Sequence, residues 1–197
     1  MRSIYKSMMC VMLCMCFIIY APAAMANSAK AKVFIQDMSN KVITIAAEKK
    51  LSDKSKEQKL NELFIKTVDI KWIAKFVVGR YWRQSSKEQQ DKYTEEYSKF
   101  LLSSYVPKFR DYTDQKITIG KVIAEGDGEY IVETTIEDKD GKSYRVSYRL
   151  REASSTFKVY DIIAEGISMI TTQRSEYGSI LDREGMDSLI AKLESRN

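Results

Sequence analysis

Only a restricted set of side chains is available for chemistry in this chain of 197 residues. It contains no histidine, and its three cysteines, Cys10, Cys14 and Cys16, all lie in the first twenty residues. Beyond that segment, Ser–His–Asp catalysis, disulfides and thiolate or imidazole zinc sites are excluded. Asp161 and Glu165 could form an acid–base pair of the kind that cleaves glycosidic bonds, but no other residue pattern indicates a sugar cleft. We expect no catalysis, no metal site and no cofactor.

The N-terminal segment has the order of a secretory signal peptide. Two basic residues precede an apolar run over residues 8–20, and small residues follow up to Ala26. The apolar run is short for a membrane span, and the small residues match an A-x-A cleavage site. We predict a signal peptide over residues 1–26 and one domain over residues 27–197. An uncleaved N-terminal anchor is the alternative.

The charge balance argues against one class of partner. The chain has 32 Lys and Arg against 27 Asp and Glu, a net charge of +5. Arg2 and Lys6 leave with the predicted signal peptide, so 30 basic residues face 27 acidic ones and the net charge becomes +3. That excess is too small to indicate nucleic-acid binding. The remaining length is sufficient for one domain with a hydrophobic core.

The first half of the exported chain has helical periodicity. The predicted helices cover residues 29–48, residues 55–66, a segment from Asp69 to about Trp82, and a segment after Ser85. Asp69 is a suitable N-cap for the third helix. Ser85 and Glu88 have the spacing of a capping box for the fourth. We expect Pro107 to end that fourth helix.

The second half alternates like β-strands. Four runs cover residues 117–124, 130–137, 144–151 and 157–164. Asp127-Gly128 and Asp140-Gly141 lie between runs, and Asp-Gly is a strong hairpin signal. Apolar and charged residues alternate along the third run, so one sheet face should be apolar and the other charged. This pattern predicts a four-stranded antiparallel meander.

Helical periodicity returns near residue 167, and Gly185 is expected to divide the last segment into two helices. Helices before and after a meander that share its apolar face predict an α+β fold. The charged outer face of the sheet favours a monomer.

The third helix is apolar over most of its circumference. Ile70, Ile73, Val77 and Tyr81 form one stripe when wound at about 100° per residue, and Phe76 widens it. Such a helix is either a central core helix or contacts a core on one side and an apolar ligand on the other. The sequence leaves both interpretations open.

Several segments resemble the MlaC (toluene-tolerance, phospholipid-binding) family. They are residues 68–70 (VDI), 73–83 (IAKFVVGRYWR), 158–162 (KVYDI), 164–172 (AEGISMITT) and 185–190 (GMDSLI). Their order and spacing agree with the family across about residues 60–193, whereas residues 27–55 agree only in helical character. Val78 stands where the family commonly has Leu.

The resemblance implies a soluble periplasmic protein that binds phospholipid and shuttles it across the envelope, maintaining outer-membrane lipid asymmetry. The implied partners are an outer-membrane lipoprotein–porin complex and an inner-membrane MCE-type ABC transporter. The implied fold holds acyl chains between helices and a curved, cone-shaped (NTF2-like) sheet. A periplasmic carrier or chaperone for another apolar cargo, such as lipoproteins, remains the alternative.

On this basis we expect the third helix, the fourth helix and the apolar sheet face to line the lipid cavity. The predicted lipid-binding residues are Ile73, Phe76, Val77, Tyr81, Phe100, Leu101, Tyr105, Val132, Thr134, Val146, Tyr148 and Val159. Arg80 and Arg83, at the end of the third helix, are weaker candidates for the anionic headgroup, because surface arginines are common without any such role.

Overall fold

A computed structural model describes residues 21–110, 112–113 and 115–196, with side chains described from residue 26 onward. Residues 1–20 of the predicted signal peptide lie outside the described residues. Its last six residues, 21–26, form the start of the first helix. The helices before the sheet are α1 (Ala21–Ala47), α2 (Asp53–Thr67), α3 (Ile70–Val78), α4 (Tyr81–Gln84) and α5 (Lys87–Arg110). The predicted helices are thus confirmed, with changed boundaries.

The five strands form one antiparallel sheet in chain order. They are β1 (Lys116–Gly126), β2 (Glu129–Glu137), β3 (Ser143–Ala153), β4 (Thr156–Ala164) and β5 (Ile167–Ser168). The expected meander is confirmed, but the prediction of four strands is wrong. Glu165 and Gly166 adopt positive φ angles of 49° and 84°. They reverse the chain, so the next two residues pair back onto β4 as a strand too short to show alternation.

A bulge interrupts β4 beside its centre. Leu150 pairs with Val159 and Arg149 with Asp161, so Tyr160 is an extra residue on β4. Such an insertion bends the strand and redirects its side chains. Val159 and Ile162 consequently face the same side of the sheet, and Asp161 lies opposite Arg149 in the strand register.

Helix ends explain two corrections. The third helix stops at Gly79, whose φ of 53° is not helical, and not near Trp82 as predicted. Helix α5 begins with a reciprocal capping box between Ser86 and Gln89, one residue later than the predicted pair. The Ser86 N–H donates to the Gln89 side-chain oxygen at 3.1 Å, and the Gln89 N–H donates to the Ser86 hydroxyl at 3.1 Å. Asp69 caps α3 as expected, accepting from the Trp72 N–H.

Two further helix predictions have different outcomes. Helix α5 continues to Arg110 with Pro107 inside it, so the proline does not end the helix. The last helix, α6 (Met169–Glu194), is interrupted at Gly185 with φ 79° and ψ −177°, which confirms the predicted break.

The interior consists of two hydrophobic clusters. The helical cluster joins α3, α5 and α6 around Val77, Tyr93 and Tyr177. The sheet cluster packs α1 against the sheet, with Ile35 and Val132 fully buried. Between them, Val68 pairs with Val159 as an isolated parallel bridge, and the Asp69 N–H donates to the Val159 carbonyl at 2.8 Å. The junction of α2 and α3 therefore covers the edge of β4 where β5 does not reach.

Candidate functional site

Two apolar cavities lie where the two clusters meet. The first, cavity 1, has a volume of about 70 Å³ and lies between α1, α2, the end of α5 and the sheet. Its walls include Met38, Val42, Leu60, Leu63, Phe64, Tyr112, Ile117 and Tyr148. The apolar stripes of α1 and α2 supply most of the surface, because both helices turn one face toward the sheet.

The second, cavity 2, lies between α3, α5, α6 and β4 and has a volume of about 60 Å³. Its walls include Ile73, Tyr97, Leu101, Tyr105, Tyr160, Met169, Ile170 and Gln173. Residues four apart on α5 face it because they lie on one side of the helix.

The cavities share five wall residues, Phe64, Val68, Phe109, Val159 and Ile162. These side chains are the partition between two parts of one apolar layer. An engineered cavity of about 150 Å³ accommodates benzene, so neither cavity holds a long hydrocarbon chain in the described conformation. A larger apolar ligand requires the partition side chains to rotate and the helices to separate from the sheet.

Cavity 2 carries a small polar network on its wall. Tyr97 donates a hydrogen bond to the Gln173 side-chain oxygen, and the Gln173 amide nitrogen donates to the Tyr105 hydroxyl at 3.4 Å. Burial raises the pKa of Tyr97 well above its usual value, so this hydroxyl stays protonated. The network places hydrogen-bonding groups in an otherwise apolar wall.

Asp161 is almost fully buried beside cavity 2 and serves the fold. It accepts a hydrogen bond from the Ser168 hydroxyl at 2.7 Å and one from the Ile170 N–H at 3.3 Å, at the start of α6. Glu165, the other carboxylate considered for acid–base chemistry, accepts from the Arg145 N–H at 2.5 Å. Both carboxylates are thus occupied by backbone and capping contacts.

Cavity 1 has fewer polar groups. Thr67 donates its hydroxyl to the Leu63 carbonyl at 2.7 Å, within its own helix. Tyr148 projects from β3 into the wall, and burial, with a smaller contribution from Tyr112, raises the pKa of its phenol. A neutral phenol suits a ligand that is mainly apolar.

The structure brings five of the twelve predicted lipid-binding residues to the cavities. They are Ile73, Leu101, Tyr105, Tyr148 and Val159. Of the others, Val77, Val132 and Thr134 are buried in the core. Val146 and Phe100 are partly buried outside both walls. Phe76 lines an outer surface groove.

The predicted headgroup arginines lie away from both cavities. Arg80 forms an ion pair with Asp182 at 2.7 Å, and Tyr81 donates its hydroxyl to the same carboxylate. Arg83 lines the outer groove beside Phe76. Tyr81 therefore contributes to a surface contact between α4 and α6, and neither arginine faces the apolar layer.

Helices α1 and α2 contribute wall residues that were not predicted from the sequence. Their apolar stripes were visible in the sequence, including Met38, Val42, Leu60, Leu63 and Phe64. Periodicity shows that such a face is buried but does not show what it is buried against. Gln173 is a polar wall residue that was not predicted, because no sequence pattern around it in α6 indicates that it faces a cavity.

Two further observations bear on the class of site. Within residues 21–110, 112–113 and 115–196, no helix combines the length and the apolarity that a membrane crossing needs. Over the same residues, no group of three or more His, Cys, Asp and Glu side chains is arranged to hold a metal ion.

Comparisons with known sequences identify related proteins. The model of the MlaC protein family matches residues 36–195. The intermembrane phospholipid transport system binding protein MlaC of Haemophilus influenzae is 28% identical over 131 residues, which cover 64% of this chain and 61% of that protein. The toluene tolerance protein ttg2D of Pseudomonas putida is 26% identical over 129 residues, covering 65% and 60% respectively. The match thus spans about three fifths of the length of both relatives.

A solved structure has the same fold. It is the phospholipid-binding protein from Ralstonia solanacearum in complex with a phospholipid, with a TM-score of 0.74 and 21% sequence identity. The alignment covers 85% of this chain and 96% of that one. At this identity the likeness shows a shared fold of helices around an antiparallel sheet.

Proposed function

The chain belongs to the MlaC protein family, and on that premise we propose that it binds a phospholipid by its acyl chains in the apolar layer formed by cavities 1 and 2. The observation that carries this proposal is the layer itself. It runs between two separately packed clusters, and apolar side chains make up most of both walls. An apolar concavity with a few polar groups is the usual form of a small-molecule site.

The driving force for such binding is large. Burial is worth about 0.8 kcal/mol per CH₂ group, so a sixteen-carbon chain represents roughly 12 kcal/mol. Part of this free energy must open the site, because the cavities measure about 70 and 60 Å³ in the described conformation. Separation of α1 and α2 from the sheet, with rotation of Phe64 and Phe109, would join the two cavities into one lumen.

We propose that the mature protein, residues 27–197, is a single periplasmic lipid-binding domain released by cleavage after Ala26. It would carry phospholipid between an outer-membrane lipoprotein–porin complex and an inner-membrane MCE-type ABC transporter, and so maintain outer-membrane lipid asymmetry. A lipid buried this deeply does not leave readily into water, so transfer requires a docked partner that offers another apolar path.

The cargo is identified by extraction. The purified protein is extracted with organic solvent, and the extract is analysed by mass spectrometry. We expect about one diacyl phospholipid per protein. A protein that carries peptide or lipoprotein instead, with no phospholipid, would contradict the proposal and support the chaperone alternative.

A matched pair of substitutions tests the location of the lipid. Leu63→Trp adds bulk to the wall of cavity 1, whereas Ile65→Trp adds the same bulk to an exposed position on the same helix, where Ile65 is 53% exposed. We expect Leu63→Trp to lower lipid occupancy several-fold and Ile65→Trp to leave it unchanged. Thermal unfolding shows whether each variant folds, since overpacking costs about 1–3 kcal/mol. Normal occupancy in folded Leu63→Trp would place the lipid elsewhere.

A further inference from the structure

Tyr105 has a hydroxyl group on the wall of cavity 2 whose hydrogen-bond direction is fixed by its neighbours. The Gln173 side-chain oxygen accepts from Tyr97, which leaves the amide nitrogen to donate to the Tyr105 oxygen at 3.4 Å. An amide has one acceptor end and one donor end, so this order sets the direction of the whole chain. The Tyr105 proton therefore points to an acceptor other than Gln173.

The protein supplies no such acceptor among the described residues, where Gln173 is the one hydrogen-bond partner of this hydroxyl. Partial burial, reinforced by nearby Glu176 and opposed by the Gln173 hydrogen bond, raises the pKa of Tyr105, so it keeps its proton at neutral pH. A purely hydrocarbon ligand would cover this donor without satisfying it, which is unfavourable. A ligand with an acceptor next to its hydrocarbon would satisfy it.

The surroundings of Tyr105 indicate which acceptor fits. Ile73 and Leu101 form apolar wall in the same cavity. The exposed Lys108 ammonium lies over the Tyr105 ring, 5.3 Å from its centre. Glu176, the acidic residue whose charge acts on Tyr105, forms an ion pair with Arg196 at 3.5 Å. Along α5, apolar Leu101, the Tyr105 hydroxyl donor and the Lys108 cation come from successive turns of the helix, the same order as acyl chain, ester carbonyl and phosphate in a glycerophospholipid.

We propose that the Tyr105 hydroxyl donates a hydrogen bond to an ester carbonyl of the bound phospholipid, so that the site distinguishes acyl-ester lipids from ether-linked ones. This inference rests on the proposed phospholipid-binding function. Tyr97 and Gln173 are positioning residues, because they act on the ligand through the orientation of Tyr105.

The test compares two lipids that differ only in the carbonyl oxygens. Dipalmitoyl phosphatidylethanolamine and its dihexadecyl ether analogue compete for the delipidated protein against a fluorescent phospholipid. We expect the wild-type protein to bind the ester lipid about three- to ten-fold more tightly, the range of one net hydrogen bond. In Tyr105→Phe this preference should fall to about one, while affinity for the ether lipid stays within two-fold of wild type.

The control is Tyr144→Phe, which removes a hydroxyl on β3 that contacts Asp138 outside both cavities. It should keep the wild-type preference. Each variant serves as its own reference, so a general loss of stability affects both lipids equally and cancels in the ratio. Equal affinities in the wild type, or an undiminished preference in Tyr105→Phe, would overturn this inference while leaving phospholipid binding intact. Failure of both lipids to bind would instead overturn the proposed function.

Discussion

Gly185 interrupts α6 with φ 79° and ψ −177°, a combination that essentially only glycine adopts. Replacing it with alanine tests whether this kink is required. A Cβ atom at this position would meet no atom within 4 Å, so Gly185→Ala introduces no steric clash. Its cost is therefore backbone strain, about 1–3 kcal/mol. The alanine also makes the unfolded chain less flexible, which offsets about 0.4–1 kcal/mol. We expect a net loss of about 1–2 kcal/mol in the free energy of unfolding.

The same helix provides a control with the opposite sign. Gly178 lies in a regular part of α6, and a Cβ atom there also meets nothing within 4 Å. Gly178→Ala should stabilise the protein by about 0.5–1 kcal/mol, since alanine has the higher helix propensity. Urea denaturation measures both, and in thermal unfolding each kcal/mol corresponds to roughly 2–4 °C. If Gly185→Ala proves as stable as wild type, α6 straightens at no cost and the kink is not imposed by packing.

Further expectations concern buried tyrosines and acid stability. Tyr177 has a buried hydroxyl with no hydrogen-bond partner among the residues that the structure describes, so Tyr177→Phe should raise the free energy of unfolding by up to about 1 kcal/mol. Tyr93→Phe should lower the free energy of unfolding by about 1 kcal/mol, because the Tyr93 hydroxyl donates to the Ala74 carbonyl at 3.2 Å. Equal changes in the two variants, measured by denaturation, would refute this difference between the two hydroxyls. The hydrogen bond from the Tyr81 hydroxyl, together with Arg80, lowers the pKa of Asp182 below its usual value. The contribution of Asp182 to the free energy of unfolding is present above the pKa of the unfolded state and is lost as the pH falls through the lowered pKa of the folded state. Asp182→Asn should therefore lose less stability in acid when denaturation is measured against pH. An unchanged pH profile would contradict this.

The sheet could be predicted from the sequence because its determinants are local. Alternation along Tyr130, Val132, Thr134 and Ile136 marks the buried face of β2, which the structure confirms. The Asp127-Gly128 turn has positive φ at both residues, as such hairpins require. The missed strand β5 has two residues, too few for a periodic pattern, and the bulge at Tyr160 depends on pairing with β3.

The cavity could be predicted only in part. Helix α3 was expected to line it, but Ala74, Val77 and Val78 are buried in the helical cluster that α3 forms with α5 and α6. Ile73 is the predicted α3 residue that reaches cavity 2. Whether an apolar helix face packs against the core or lines a cavity depends on contacts between residues far apart in sequence. Arg80 and Arg83 could not be placed for the same reason, because the Asp182 contact joins residues 102 positions apart.

The edges of the sheet bear on how the protein behaves at high concentration. Exposed strand edges are templates for pairing between molecules. At one end, β5 is two residues long, and Val68 pairs beside it with Val159. At the other, Gly120 and Lys121 shift the register of β1, and the exposed Lys121 ammonium projects from the irregular stretch. In the described part of the chain, one border is therefore short and partly covered and the other is interrupted beside a charged side chain, features that disfavour pairing between molecules.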